Sequence, residues 1–178
     1  MIVQTSRFGA VELTKEDILS FPEGLIGFDK LTNYGLLDDP NDEIFAWLQS
    51  CDDPDVAFPV LEPELFTHNY SVAMTKHDLA SLQLPTMERA RVFTIVTIPE
   101  DPTQMSANMK APIVINVPLR IARQCVLQDS QLAIREPIFA KLQQRVVSSP
   151  TAIKSQAHTW GVAIRLPAQP GQRPLEVE

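Results

Sequence analysis

The chain reads as a mainly β protein of many short strands with a few short helices, one of them near residues 137–147. Three observations predict this. Its 178 residues hold 15 prolines against 6 glycines, and the prolines leave mostly short windows that long helices do not survive. Those windows carry β-branched and aromatic residues in strand-length runs, clearest at Arg91–Ile98 and Ile113–Val117. No repeat or linker divides the chain, and 44% hydrophobic composition suffices for one well-buried core.

In order, Met1–Thr5 and Ala10–Leu13 read as strands joined by a turn at Arg7-Phe8-Gly9. Thr14 with Asp17 three residues on has the form of a helix N-cap, predicting a turn or two of helix through Leu19. In Phe21-Pro22-Glu23-Gly24-Leu25-Ile26-Gly27-Phe28 the glycines supply positive φ or close approach, with Phe21 and Phe28 expected to anchor the loop in the core. Strands follow at Tyr34–Leu37, Ile44–Ser50, Val56–Leu61 and Tyr70–Met74, with acidic turns at 38–43 and 51–55 and one helical turn at Pro63–Phe66. Lys76–Leu84 permits a short helix. After Arg91–Ile98, strands are expected near Met105–Met109, at Ile113–Val117, at Arg123–Gln128 and at Leu132–Ile134. Pro137 suits the first turn of a helix to about Val147, with Ile138, Phe139, Leu142 and Val146 as its apolar stripe. Trp160–Leu166 has the composition of a docking strand, and 167–178 that of a disordered tail.

The most informative stretch is Asn108–Asn116. Ile113, Val114 and Ile115 favour a buried strand, Pro112 fixes where regular pairing begins, and asparagines bracket the run. Neither asparagine carries acid–base chemistry, so the segment builds a shaped surface rather than a reacting centre.

Charge is unevenly placed. Residues 1–105 carry a net −12 and residues 106–178 a net +5, within an overall −7. The acidic part repels a polyanion and attracts a basic protein, so direct nucleic-acid binding is disfavoured and a cationic partner favoured. The acidic turns serve either solubility or steering at an interface rim. Arg120 and Arg123 belong either to a solvated turn or to a clamp on acids from 38–55.

Other chemistry finds little support. There is no apolar run of about 18 residues and no basic, apolar-cored leader, which predicts neither a membrane span nor secretion. Cys51 and Cys125 fit a reducing cytoplasm as small buried hydrophobes. His68, His77 and His158 have no metal-ligand spacing, and Asp39-x-Asn41-x-Glu43 lacks the glycine of a calcium loop, with Ile44 in its place. Nucleotide, dinucleotide and serine-hydrolase signatures are absent, so no cofactor is expected. Two rivals to a binding protein stay open: a small hydrolase or transferase using Cys51 or Cys125, and a direct RNA binder.

Five segments in fixed order resemble the flagellar assembly factor FliW family. They are Ile18–Phe28, Trp47–Ser50, Phe58–Pro63, Asn108–Asn116 and Arg123–Gln128, and the likeness covers residues 1 to about 147. The resemblance implies a small, mainly antiparallel, barrel-like β domain at 1–147 that is not an enzyme. It also implies cytoplasmic binding of flagellin and of the translational regulator CsrA: FliW free of flagellin captures CsrA and relieves its repression of flagellin mRNA. Asn108, Met109, Lys110, Pro112, Asn116, Phe58 and Glu62 are then the interface or interface-supporting residues, with replacement of Asn108 and Asn116 expected to weaken capture and spare the melting transition. The chain departs from the pattern at Met109, where leucine is common, at Leu132, where tyrosine is frequent, and in the extension 148–178.

Overall fold

A computed structural model describes residues 1–38, 44–148 and 161–166. The first hairpin pairs β1 (Ile2–Thr5) with β2 (Gly9–Glu12). Seven strands then close on one another: β3 (Ile18–Ser20), β4 (Asn33–Asp38), β5 (Ala46–Ser50), β6 (Ala57–Leu61), β7 (Ala90–Thr97), β9 (Ile113–Asn116) and β10 (Ile121–Gln124). All neighbours around this ring are antiparallel except the seam, where β10 lies parallel to β3 through Ile121 opposite Ser20. Closure removes the open edges a sheet of this size would expose.

The barrel interior follows from alternation along each strand. Leu19 and Phe21, Tyr34 and Leu36, Ala46 and Leu48, Ile113 and Ile115 meet Val60, Phe93 and Ala122 in one buried cluster. Outside the wall, the β1–β2 hairpin packs Val3, Val11 and Leu13 onto Leu37 and Trp47 of β4 and β5. Another face is covered by α2 (Phe139–Ser148), through Leu142, and by the turn Pro63–Leu65. Under α1 (Lys76–Ser81), Leu82 and Leu84 pack with Ala90, Val114 and Cys125.

Beyond the ring, β8 (Ser106–Ala107) continues along β7 past β9, and β11 (Glu136–Pro137) pairs with β8. The extension returns as β12 (Ile164–Arg165), parallel to the end of β4, with Val162 buried inside the barrel cluster. Arg120 holds it there: its guanidinium donates to the Val162 carbonyl at 3.1 Å and to the Gly161 carbonyl.

Several local expectations are corrected. Thr14 caps only the single turn Lys15–Asp17, because Ile18–Ser20 are taken into β3 by pairing with β4; Leu19 is a strand residue. Tyr70–Met74 form no strand: no ladder neighbour adjoins them, and Val72 and Met74 pack their side chains against the cluster under α1. Leu132–Ile134 likewise form none, touching their neighbour through the Met109 N–H to Ala133 carbonyl bond. Pro137 sits in β11, and the helix starts two residues later at Phe139. Phe28 does not enter the core; it is exposed. The turn beyond Asp38, with the calcium-like residues, Trp160 and the tail from 167, lies outside the described residues.

Candidate partner-binding surface

Between β8 and β9 the chain leaves the β7 ladder and makes an irregular bulge over Asn108–Pro112, with Met109, Ala111 and Pro112 buried. The local cause is Asn108. Its N–H still donates to Ile95 of β7, at 2.9 Å, while its side-chain oxygen accepts from the N–H groups of Lys110 and Ala111, both at 3.1 Å. An asparagine that satisfies two successive N–H groups replaces the ladder with a turn. Pro112, with no N–H to offer, ends the turn where β9 begins.

Tyr70 and the segment Gln124–Leu127 hold the bulge. The Tyr70 hydroxyl donates to the Met109 carbonyl at 2.6 Å, and burial holds that phenol well above its ordinary pKa. Leu127 and Cys125 donate backbone N–H groups to Lys110 and Pro112. The Gln124 side chain donates to the Ala111 carbonyl at 3.1 Å and accepts from Ile26 N–H at 3.0 Å, so one amide ties the bulge to the Phe21–Phe28 loop.

Each sequence-selected residue now has a place. Asn108 is half-buried and shapes the turn. Met109 is buried in the α2-side cluster. Lys110 is half-buried, with its ammonium donating to the Asp129 carbonyl at 3.3 Å. Pro112 is buried. Asn116 is buried at the far end of β9, where its amide donates to Leu82 and accepts from Leu119 N–H. Phe58 lies on β6, its ring edge-on to Phe28 at 5.1 Å between centroids. Glu62 is buried at the end of β6, its carbonyl accepting from Leu65 N–H. The structure thus gathers Asn108, Met109, Lys110 and Pro112 in one bulge and leaves Asn116, Phe58 and Glu62 elsewhere on the barrel. Sequence reasoning did not single out Gln124 or Tyr70; a glutamine in a strand and a tyrosine in a loop give no sign of the carbonyl they reach.

The arginines are also settled. Among the described residues Arg123 pairs with Glu23 at 2.7 Å and Asp78 at 3.2 Å, while Arg120 serves the extension. Asp52 accepts from the N–H groups of Thr32 and Asn33, at 2.9 and 3.0 Å, so this part of the second acidic turn anchors the entry to β4.

The two thiols are poorly suited to attack. Burial, reinforced by Asp52, pushes Cys51 up to about 11, and burial with Asp78 pushes Cys125 up to about 12. A thiol held protonated is a weak nucleophile at neutral pH. Among the described residues, no three His, Cys, Asp or Glu side chains come together as metal ligands, and no helix is long and apolar enough to cross a membrane.

Residues 2–138 match the model of the family described as FliW protein. The chain belongs to the FliW family. A flagellar assembly factor FliW from Bdellovibrio bacteriovorus is 62% identical over 93% of this chain and 95% of its own length. One from Leptospira interrogans is 36% identical over 77% of this chain and 92% of its own. The crystal structure of a flagellar assembly factor FliW superposes with a TM-score of 0.73 at 27% identity, covering 78% of this chain and 97% of that one. The closed seven-stranded barrel is therefore the FliW fold, and the family to which the chain belongs is one of flagellar assembly factors.

Proposed function

We propose that this chain acts in the cytoplasm as a partner-switching sensor, binding flagellin and, when flagellin is scarce, capturing CsrA so that flagellin mRNA is translated. The observation that carries the reading is the 62% identity, nearly end to end, with a flagellar assembly factor. The acidic first part of the chain supports it, since negative charge speeds encounter with a basic RNA-binding protein and discourages direct contact with RNA. The high pKa values of both thiols favour a binding protein over a cysteine-dependent enzyme.

In this reading Lys110 and Phe58 contribute partly exposed contact surface. Asn108, Met109, Pro112, Asn116 and Glu62 support it by fixing backbone. A pull-down from cytoplasmic extract with this chain as bait should recover flagellin from cells rich in it and CsrA from cells depleted of it. Recovery of neither overturns the proposal. A gel shift of flagellin leader RNA by this chain without CsrA would replace it with a direct RNA-binding role.

A further inference from the structure

The Phe21–Phe28 loop contains large apolar residues that the barrel does not use. Phe21 and Leu25 enter the core, but Ile26 is 64% and Phe28 37% exposed. The loop is nonetheless firmly held. Gly24 N–H donates to Phe21 at 2.9 Å, Phe28 N–H to Leu25 at 2.8 Å, and Ile26 N–H to the Gln124 side chain at 3.0 Å. Phe28 rests edge-on against Phe58.

Val126 extends the same surface. Cys125 and Leu127 bond through their N–H groups to Pro112 and Lys110, and both are buried. In extended chain the alternate residues Gln124 and Val126 therefore share the opposite face. Val126 is 48% exposed there, beside the glutamine that holds Ile26. Exposed apolar residues on a braced loop form a preorganised contact surface.

Charge identifies what it fits. Glu23 and Asp29 lie on or next to the loop, and Asp52, bonded to Thr32 and Asn33, leads a turn that also carries Asp53 and Asp55. Glu23 and Arg123 are paired with each other, so Asp29 and the Asp52–Asp55 turn stand against Lys30 and against Lys110, whose ammonium is bonded to the Asp129 carbonyl. An apolar centre with an acidic rim complements apolar side chains flanked by Lys or Arg. We propose that Ile26, Phe28 and Val126 form a docking surface for a cationic amphipathic segment of a partner protein. The assignment rests on the proposed capture of a basic regulator and adds the face by which it is held.

The test uses the full chain carrying Ile26→Ser with Val126→Ser, both exposed positions whose change leaves the Phe28–Phe58 contact intact. Titration employs two cationic probes, purified CsrA and an amphipathic Leu/Lys helical peptide, with flagellin and a Leu/Ser peptide as comparisons. The expected result is about a tenfold or greater loss of affinity for both cationic probes, an unchanged melting temperature and unchanged flagellin binding. Added salt should weaken the unsubstituted chain's binding to both. Unchanged affinity for either probe that the unsubstituted chain binds, equal binding of the Leu/Ser peptide, or a parallel loss of flagellin overturns the assignment. If the unsubstituted chain binds the peptide but not CsrA, and the double variant loses the peptide, the surface stands and the partner reading falls. If the unsubstituted chain binds neither cationic probe, the surface falls. In a melted variant, Ile26→Ser alone carries the same test.

Discussion

The Asn116 side chain joins β9 to the end of α1, donating to the Leu82 carbonyl at 2.8 Å while accepting from Leu119 N–H at 3.3 Å. Both bonds satisfy backbone groups of the chain itself, and Asn116 is buried. Alanine there leaves a buried carbonyl without a donor, so Asn116→Ala should cost about 1–3 kcal/mol in urea unfolding. Asn108→Ala removes the acceptor for two turn N–H groups and should cost about 1 kcal/mol. This revises the expectation that both replacements spare the melting transition. An unchanged midpoint in the Asn116 variant would restore it.

The contrast between those asparagines and their neighbours shows what the sequence made legible. Ile113 and Ile115 declare an inward strand face because burial acts on each side chain by itself. The same reasoning finds β7 and the hairpin. An asparagine advertises that it will bond, but not to which carbonyl, since Leu82 lies 34 residues away. The parallel β10–β3 seam was hidden for a similar reason: pairing between residues about a hundred positions apart leaves no local pattern. Leu19 was misread because a sound N-cap at Thr14 is overruled by the pairing of the next three residues. Of the candidate surface, the start of regular pairing after Pro112 was legible; the turn that replaces a strand at Asn108–Ala111, and its ties to Tyr70 and Gln124, were not.

Alkaline pH should destabilise the fold. Burial raises Cys51 from 9.0 to about 11, Cys125 from 9.0 to about 12 and Tyr34 from 10.0 to about 12, and Tyr70 is raised as well. Each group is neutral when protonated, so the unfolded chain gives up these protons first as pH rises. Their contribution is complete below pH 9.0 and falls through the interval up to about 12. The urea midpoint should therefore drop clearly between about pH 7.5 and pH 10.5. An equal midpoint at both would show that these groups are solvated in the fold.

Tyr34 offers a change in the other direction. It is fully buried against Phe21, ring centroids 5.0 Å apart, and its hydroxyl has no hydrogen-bond partner among the described residues. Tyr34→Phe removes a buried polar group and keeps the ring, so stability should hold or rise by up to about 1 kcal/mol. A loss of more than about 1 kcal/mol would reveal a partner for that hydroxyl, such as a bound water.

The extension is part of the barrel's stability. Val162 is buried among barrel residues, and Leu166 N–H donates to the Asp38 carbonyl at 2.9 Å next to the β12–β4 pairing. Val162→Ala should cost about 1–3 kcal/mol, and Val162→Asp more, because it carries a carboxylate into an apolar cluster. Urea unfolding of both variants checks this. If neither differs from the parent chain, the barrel is complete without residues 161–166.

Gly24 and Gly27 separate steric need from conformational preference within one loop. Both have positive φ, +65° and +87°. A Cβ on Gly24 would stand 2.5 Å from the Phe28 carbonyl oxygen and 2.6 Å from the Asp29 Cα, both backbone atoms that cannot rotate away. A Cβ on Gly27 meets nothing within 4 Å. Gly27→Ala therefore meets only the left-handed penalty of about 1–2 kcal/mol. Gly24→Ala adds a backbone collision, and should lose at least about 2 kcal/mol more while displacing Ile26 and Phe28 from their fixed positions. Parallel melting curves of the two variants test the difference. Equal destabilisation would mean that the loop yields at Gly24 without strain, and that its exposed residues are less firmly placed than their hydrogen bonds indicate.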